Sequence, residues 1–208
     1  MKRFFIIFVL LLFVAGTAYF AGAFDRTPTI VVERDCSIVF TNEPPNEEDE
    51  NILLCVPAAY STDDGHIIGH YSLGGKRKGV SDYRYTTIRL DGGSCFQQAS
   101  LVRDHKPKCF SDSRNRYRRA LCKKGKQYAI VHSSRPITLI SFARSLTGYD
   151  NAWNLDMGTY AYGWYRDESG LHQLGASAYW NKHKQTNWIV VRKKFLIGHL
   201  PFPYRWYQ

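Results

Sequence analysis

Acidic side chains are in short supply: 18 Asp and Glu stand against 28 Lys and Arg, leaving a formal charge of +10. That excess suits an anionic partner, such as lipid headgroups, teichoic acid, nucleic acid or a phosphorylated sugar, and by itself does not choose among them. The five cysteines form no CxxC pair and no Cys/His cluster, which argues against a structural zinc site. No repeat of fixed period is evident along the chain. No helix-turn-helix, RRM or zinc-finger pattern accompanies the basic residues, and nucleic acid is not expected as a partner. The marks of disorder are missing too, since 44% hydrophobic and 22% charged residues belong to an ordinary globular chain.

What is present begins with Lys2 and Arg3, followed by an uncharged run over residues 4–24 rich in Phe, Ile, Val and Leu. Ala21-Gly22-Ala23 supplies the small residues a signal peptidase prefers, yet the run is also long enough to span a bilayer. Residues 1–24 therefore read as a signal peptide or, if uncleaved, a membrane anchor. Either way the rest is expected outside the cytoplasm: secreted, periplasmic or membrane-anchored. Roughly 180 residues then remain, enough for one domain with a real core. In an oxidising compartment Cys36 with Cys55 and Cys95 with Cys109 are candidate disulfides, the connectivity being open. One thiol must stay unpaired, and Cys122, beside Ala120 and Leu121, is the candidate for a buried small hydrophobe.

The expected organisation is a lead-in over residues 25–51, a domain over 52–194 and an aromatic tail over 195–208. Residues 29–32 and 37–41 are rich in β-formers and lead to an acidic, proline-containing loop over 42–51. Residues 52–56 read as a buried strand and 83–90 as a half-exposed one, with a flexible basic loop at 74–79 between them. From 103 to 126 the chain carries ten Lys or Arg against two Asp, an anion-facing segment or a solvated loop. Another strand is expected over 128–132. A helix follows, because Thr138 is a natural N-cap, Leu139, Phe142, Ala143 and Leu146 recur at helical spacing, and Gly148 offers a left-handed stop. Short strands are expected over 152–155 and 188–191. Together these elements predict an α+β domain, a twisted mixed or antiparallel sheet flanked by a few helices.

Two features invite over-reading. Asp91-Gly92-Gly93-Ser94 is explained by a hairpin turn between residues 88–90 and 95–96. His66 and His70 are spaced i, i+4, as metal ligands on a helix would be, but Gly65 and Gly69 argue against a helix there.

The most informative stretch carries Arg118 with Ala120, Gly125-Lys126, Thr138-Leu139, Gly148, then Ala152 with Asn154-Leu155-Asp156 and Gly158. In that order it resembles the phosphodiester glycosidase domain family. Val56-Pro57-Ala58-Ala59-Tyr60, with Gly65 and Gly69 after it, resembles the family's opening strand and turn. The resemblance spans residues 52–191 and implies hydrolysis of a glycosyl 1-phosphodiester or related cell-envelope glycan. It implies Asp156 as the catalytic carboxylate and Arg118 as the group holding phosphate.

The residue types suit that chemistry. Cleavage at an anomeric carbon passes through an oxocarbenium-like state, which a carboxylate such as Asp156 stabilises. A phosphate ester departs as an anion, so an arginine that holds its charge matters more than a strong acid. Arg118 is the first candidate and Arg119 the second. Asn154 would share a face with Asp156 if the strand continues to 156, and would bind a sugar hydroxyl. Gly158 lets backbone N–H groups approach an anion, and Thr159 adds a substrate contact. On the bare residues Asp156 reads first as a turn or cap aspartate and Arg118 as one more surface cation, and the resemblance reverses that order. A second reading is an inactive envelope domain that binds anionic glycan or a protein partner through the basic loop.

Overall fold

The computed structural model describes residues 29–32, 35–157, 163–174 and 185–194. The N-terminal apolar segment, the aromatic tail, Gly158 and Thr159 lie outside the described residues. In chain order the strands are β1 (Thr29–Val31), β2 (Cys36–Thr41), β3 (Ile52–Pro57), β4 (Tyr71–Leu73), β5 (Lys76–Lys78), β6 (Thr86–Arg89), β7 (Cys95–Gln98) and β8 (Ser100–Arg103). They continue with β9 (Lys106–Pro107), β10 (Arg119–Lys124), β11 (Gln127–His132), helix α1 (Leu139–Ser145), β12 (Asn151–Asn154), β13 (Gly163–Asp167), β14 (Gly170–Leu174) and β15 (Trp188–Lys193).

Three antiparallel sheets result: six strands in the order β1-β11-β10-β12-β8-β9, five in the order β14-β13-β3-β15-β2, and four in the order β5-β4-β7-β6. The expected α+β domain thus narrows to a β-rich fold of antiparallel sheets with one short helix among the described residues. The reason lies in the run lengths. Most apolar stretches are short, in strands of no more than six residues, and among the described residues only the stretch after Thr138 sustains a helical period.

The larger sheets share one apolar core. Leu54, Val56, Ile189 and Val191 of the five-stranded sheet meet Leu121 and Ile130 of the six-stranded one. Ile88 and Phe96 of the small sheet close the same core, with the Phe96 ring stacked on Phe40 at 5.2 Å. On the opposite face of the six-stranded sheet, α1 buries Leu139, Phe142 and Ala143 against Ala120, Cys122, Ala129 and Ala152. Those four small residues let a helix lie close without a void. Thr138 caps α1 by accepting from Ser141 N, as its position predicts. The C-cap is Leu146 at φ −98°, so the left-handed stop expected at Gly148 is not used.

The turn at Asp91–Gly93 does more than reverse the chain. β6 and β7 pair as a hairpin, with Arg89 opposite Cys95, and Gly92 and Gly93 take φ of 64° and 67° to make the turn. The Asp91 carboxylate then accepts from Ile38 N at 3.0 Å, and Ser94 Oγ from Phe40 N at 3.0 Å. β2 is the edge of the five-stranded sheet, and N–H groups two residues apart face its open side. Two side chains thereby satisfy an edge that would otherwise present bare donors.

None of the five cysteines forms a disulfide, so the candidate pairs are not made. Cys36 lies opposite Lys193 and Cys55 opposite Val190, on strands flanking β15 from either side. Two strand spacings separate them by about 10 Å before the offset along the strands is added, beyond the roughly 7 Å that a disulfide can bridge. Cys95 is half-buried and accepts from Ser72 Oγ, while Cys109 is exposed. Cys122 is a buried apolar side chain.

Replacing both Asp91 and Ser94 by Ala should cost about 1–3 kcal/mol for each buried donor left open. Denaturant unfolding of the double variant and wild type measures it, and an unchanged midpoint would refute the edge-clamping role.

Candidate active site at the end of the six-stranded sheet

Three neighbouring strands bring their polar residues to one end of the six-stranded sheet. Arg119 opens β10 opposite His132, the last residue of β11, while Ala120 lies opposite Asn154, the last residue of β12. Direct partners share a face, so Arg119 and His132 lie on one side and Asn154 on the other.

Arg119 is fully buried. Its Nη2 donates to Leu174 O at 3.4 Å, whereas Nε and Nη1 have no partner among the described residues. Gly163 makes room for it, since a Cβ there would stand 3.0 Å from Nη1 and 3.1 Å from Cys55 O. Burial pulls the guanidinium pKa down to about 10, against an opposing pull from the Asp156 charge, so the group stays cationic at neutral pH. His132 is held neutral: burial first, then the Arg119 charge, lower its pKa to about 4. Its ring lies nearly parallel to Tyr117, at 6.3 Å and 9°, and its Nδ1 has no partner among the described residues.

On the other side, Asn154 Nδ2 donates to the Tyr60 hydroxyl and, at 3.0 Å, to Leu155 O. Its Oδ1 is without a partner among the described residues. Tyr60 is pushed up to about 12, by burial first and then by the Asp156 charge. Asp156 is half-buried, and its backbone N–H donates to Ala58 O at 3.1 Å. Because Asp156 acts on both Tyr60 and Arg119, it stands in electrostatic reach of both sides of the strand row. Five buried side-chain N or O atoms lack partners among the described residues, and four of them belong to Arg119, His132 and Asn154. Buried polar atoms are ordinarily paired, so their concentration singles out this end of the sheet as the candidate site.

Arg118, the first sequence candidate for holding phosphate, is committed elsewhere. Its Nε donates to Ile137 O at 3.2 Å, and its Nη2 donates to Arg114 O at 2.9 Å and pairs with Asp112 at 3.3 Å. One residue further along β10, Arg119 faces the other way and keeps open donors. β12 ends at Asn154, so strand alternation does not carry to Asp156; it is Tyr60 that links the two. Sequence reasoning missed Tyr60 and His132. Tyr60 stands at the end of the opening-strand motif, but only the pairing of β10 with β11 puts His132 beside Arg119. His66 pairs with Asp64, and His70 bonds Ser81, without forming a common site. No three His, Cys, Asp or Glu converge as metal ligands among the described residues.

An antiparallel β-layered domain with a buried, under-bonded guanidinium, a nearby carboxylate and an open amide oxygen is the class of protein described so far. Its architecture is similar to the catalytic domain of zebrafish N-acetylglucosamine-1-phosphodiester alpha-N-acetylglucosaminidase, solved auto-inhibited by its pro-peptide. The TM-score is 0.55 at 14% identity, over 78% of this chain and 74% of that one, a likeness of fold. No family profile and no curated protein sequence matches the chain.

A histidine whose pKa falls on folding favours the native state only while it is neutral. Below about 6.5 the unfolded chain takes up a proton that the folded His132 refuses until about pH 4, so stability should fall as pH drops through that window. His132→Gln should flatten the loss, which the shift implies is a few kcal/mol. Unfolding free energies at pH 7.5, 5.5 and 4.5 test this, and parallel curves for the two proteins would refute it.

Proposed function

We propose that the chain hydrolyses a glycosyl 1-phosphodiester or a related anionic cell-envelope glycan, with Asp156 as the catalytic carboxylate and Arg119 holding the phosphate. The observation that carries this reading is the buried guanidinium with two nitrogens, Nε and Nη1, open among the described residues. A charge in the interior costs several kcal/mol unless it is paired, and a bound anion is the partner that offsets it. Arginine presents its donors as a planar fork that fits two phosphate oxygens at once.

The chemistry follows from the groups present. The bond from the anomeric carbon to the phosphate oxygen breaks, the phosphate leaves with the electron pair, and water supplies the new hydroxyl at carbon and releases its other proton to solvent. Positive charge grows at the anomeric centre, where the Asp156 carboxylate stabilises it, and negative charge grows on the leaving phosphate, where Arg119 stabilises it. Arg118 becomes a bracket that ties β10 to Asp112, Arg114 and Ile137. Asn154 binds a substrate donor through its open oxygen, and Gly158 and Thr159 remain substrate contacts on the strength of the sequence resemblance alone. The apolar run over residues 4–24 supports action outside the cytoplasm, where envelope glycans lie.

Three variants separate the roles. Asp156→Asn should lower sugar release from a methyl sugar 1-phosphodiester by roughly a hundredfold or more with little change in unfolding temperature. Arg119→Met should abolish binding of that diester while leaving stability unchanged or higher, because it removes an uncompensated buried charge. Arg118→Ala should instead lower stability. Binding without sugar release by the wild type would show an inactive glycan-binding domain, and undiminished activity of Arg119→Met would remove the phosphate assignment.

A further inference from the structure

We infer that the Leu155 carbonyl sets the orientation of the Asn154 carboxamide and Tyr60 occupies its second N–H, so that the site requires a hydrogen-bond donor from its ligand at Asn154 Oδ1. The inference rests on the proposed glycan reading and specifies what the sugar must present there. A carboxamide has two donors on Nδ2 and an acceptor oxygen, and its two flipped orientations have nearly the same shape. Here both donors are spent, on the Leu155 carbonyl and the Tyr60 hydroxyl. Flipping the group would set Oδ1 against the Leu155 carbonyl, acceptor against acceptor, and strand two buried N–H groups; the carbonyl, which only accepts, therefore sets the orientation, and the Tyr60 hydroxyl, which can bond either way, occupies the second N–H.

Tyr60 is suited to the task. Burial and the Asp156 charge keep its phenol protonated well past neutral pH, so its oxygen remains a neutral, steady acceptor. With both N–H groups committed, Oδ1 is left buried without a partner among the described residues, and Asn154 is only 4% exposed. A ligand O–H or N–H satisfies it, whereas a ligand bearing an acceptor or a C–H at that point leaves it bare. A buried group left bare costs enough to discriminate strongly between otherwise identical ligands. Tyr60 is thus a positioning residue that acts through Asn154.

The test uses the full chain and methyl diesters of glucose, galactose and mannose 1-phosphate, their 2-acetamido forms and the corresponding monodeoxy analogues. Dissociation constants and sugar release are measured for wild type and Tyr60→Phe. One deoxy position should weaken wild-type binding roughly ten- to hundredfold, the range expected for one unpaired buried acceptor. Tyr60→Phe should weaken the parent diester through KM more than kcat, and should have no effect on that one deoxy analogue, whose donor is already missing. Exchange of the Asn154 side-chain N–H protons, followed by NMR, should quicken in Tyr60→Phe whether or not sugar is released. Absence of sugar release with the selective binding pattern intact would sink the hydrolase reading and leave this inference standing. Equal affinity across the panel, no affinity for any member, or unaltered Asn154 exchange in Tyr60→Phe would overturn it.

Discussion

The Arg119 guanidinium, a charge held inside the fold with one long hydrogen bond, to Leu174, among the described residues, is the constraint around which one end of the molecule is arranged. Gly163 must lack a side chain to admit it, and β13 must pair with both β3 and β14 to hold Gly163 and Leu174 in place. His132 must remain neutral beside it, which burial and Arg119 itself enforce. A methionine would fill the same space at lower cost. A buried arginine in place of such an apolar residue is the pattern expected where stability is given up for a site.

The site depends equally on the layers behind it. Leu121 and Ile130 anchor β10 and β11 to the common core, and Ala120, Cys122, Ala129 and Ala152 seat α1 on the outer face. The strand ends carrying Arg119, His132 and Asn154 are therefore held by packing on both faces of the sheet. Asp91 and Ser94 perform a similar service at the far edge of the five-stranded sheet, closing β2 with side-chain acceptors. A likeness of fold to a glycosidase catalytic domain at 14% identity fits this picture, since packing layers persist where side chains do not.

Local signals read well. The continuous apolar run at 52–56 is β3, the Thr138 cap and the spacing from Leu139 to Leu146 make α1, the glycines after Asp91 make a hairpin turn, and Cys122 is a buried hydrophobe. Each depends on forces acting within a few residues: alternation, capping, or the left-handed backbone glycine tolerates. The expected flanking helices had no such support, and Gly148 lost its capping role because α1 ends at Leu146. The disulfides failed because a thiol's partner depends on sheet order, and β15 stands between Cys36 and Cys55.

The candidate site divides along the same line. By itself the sequence determined a basic chain, a short strand leading to Asn154 and Asp156, and two adjacent arginines in a basic stretch that reads as an anion-facing segment or a solvated loop. Which arginine turns inward was not legible, because neighbouring side chains on a strand face opposite ways and a shift of one residue exchanges them. Only the register of β10 against β11 and β12 turned Arg118 toward Asp112 and Ile137 and Arg119 toward Gly163 and Leu174. The same pairing brought His132 to Arg119, and the tertiary fold brought Tyr60 to Asn154 across 94 positions of chain. Contacts of that range are paid for by the burial of whole sheets, an energy that no local pattern encodes.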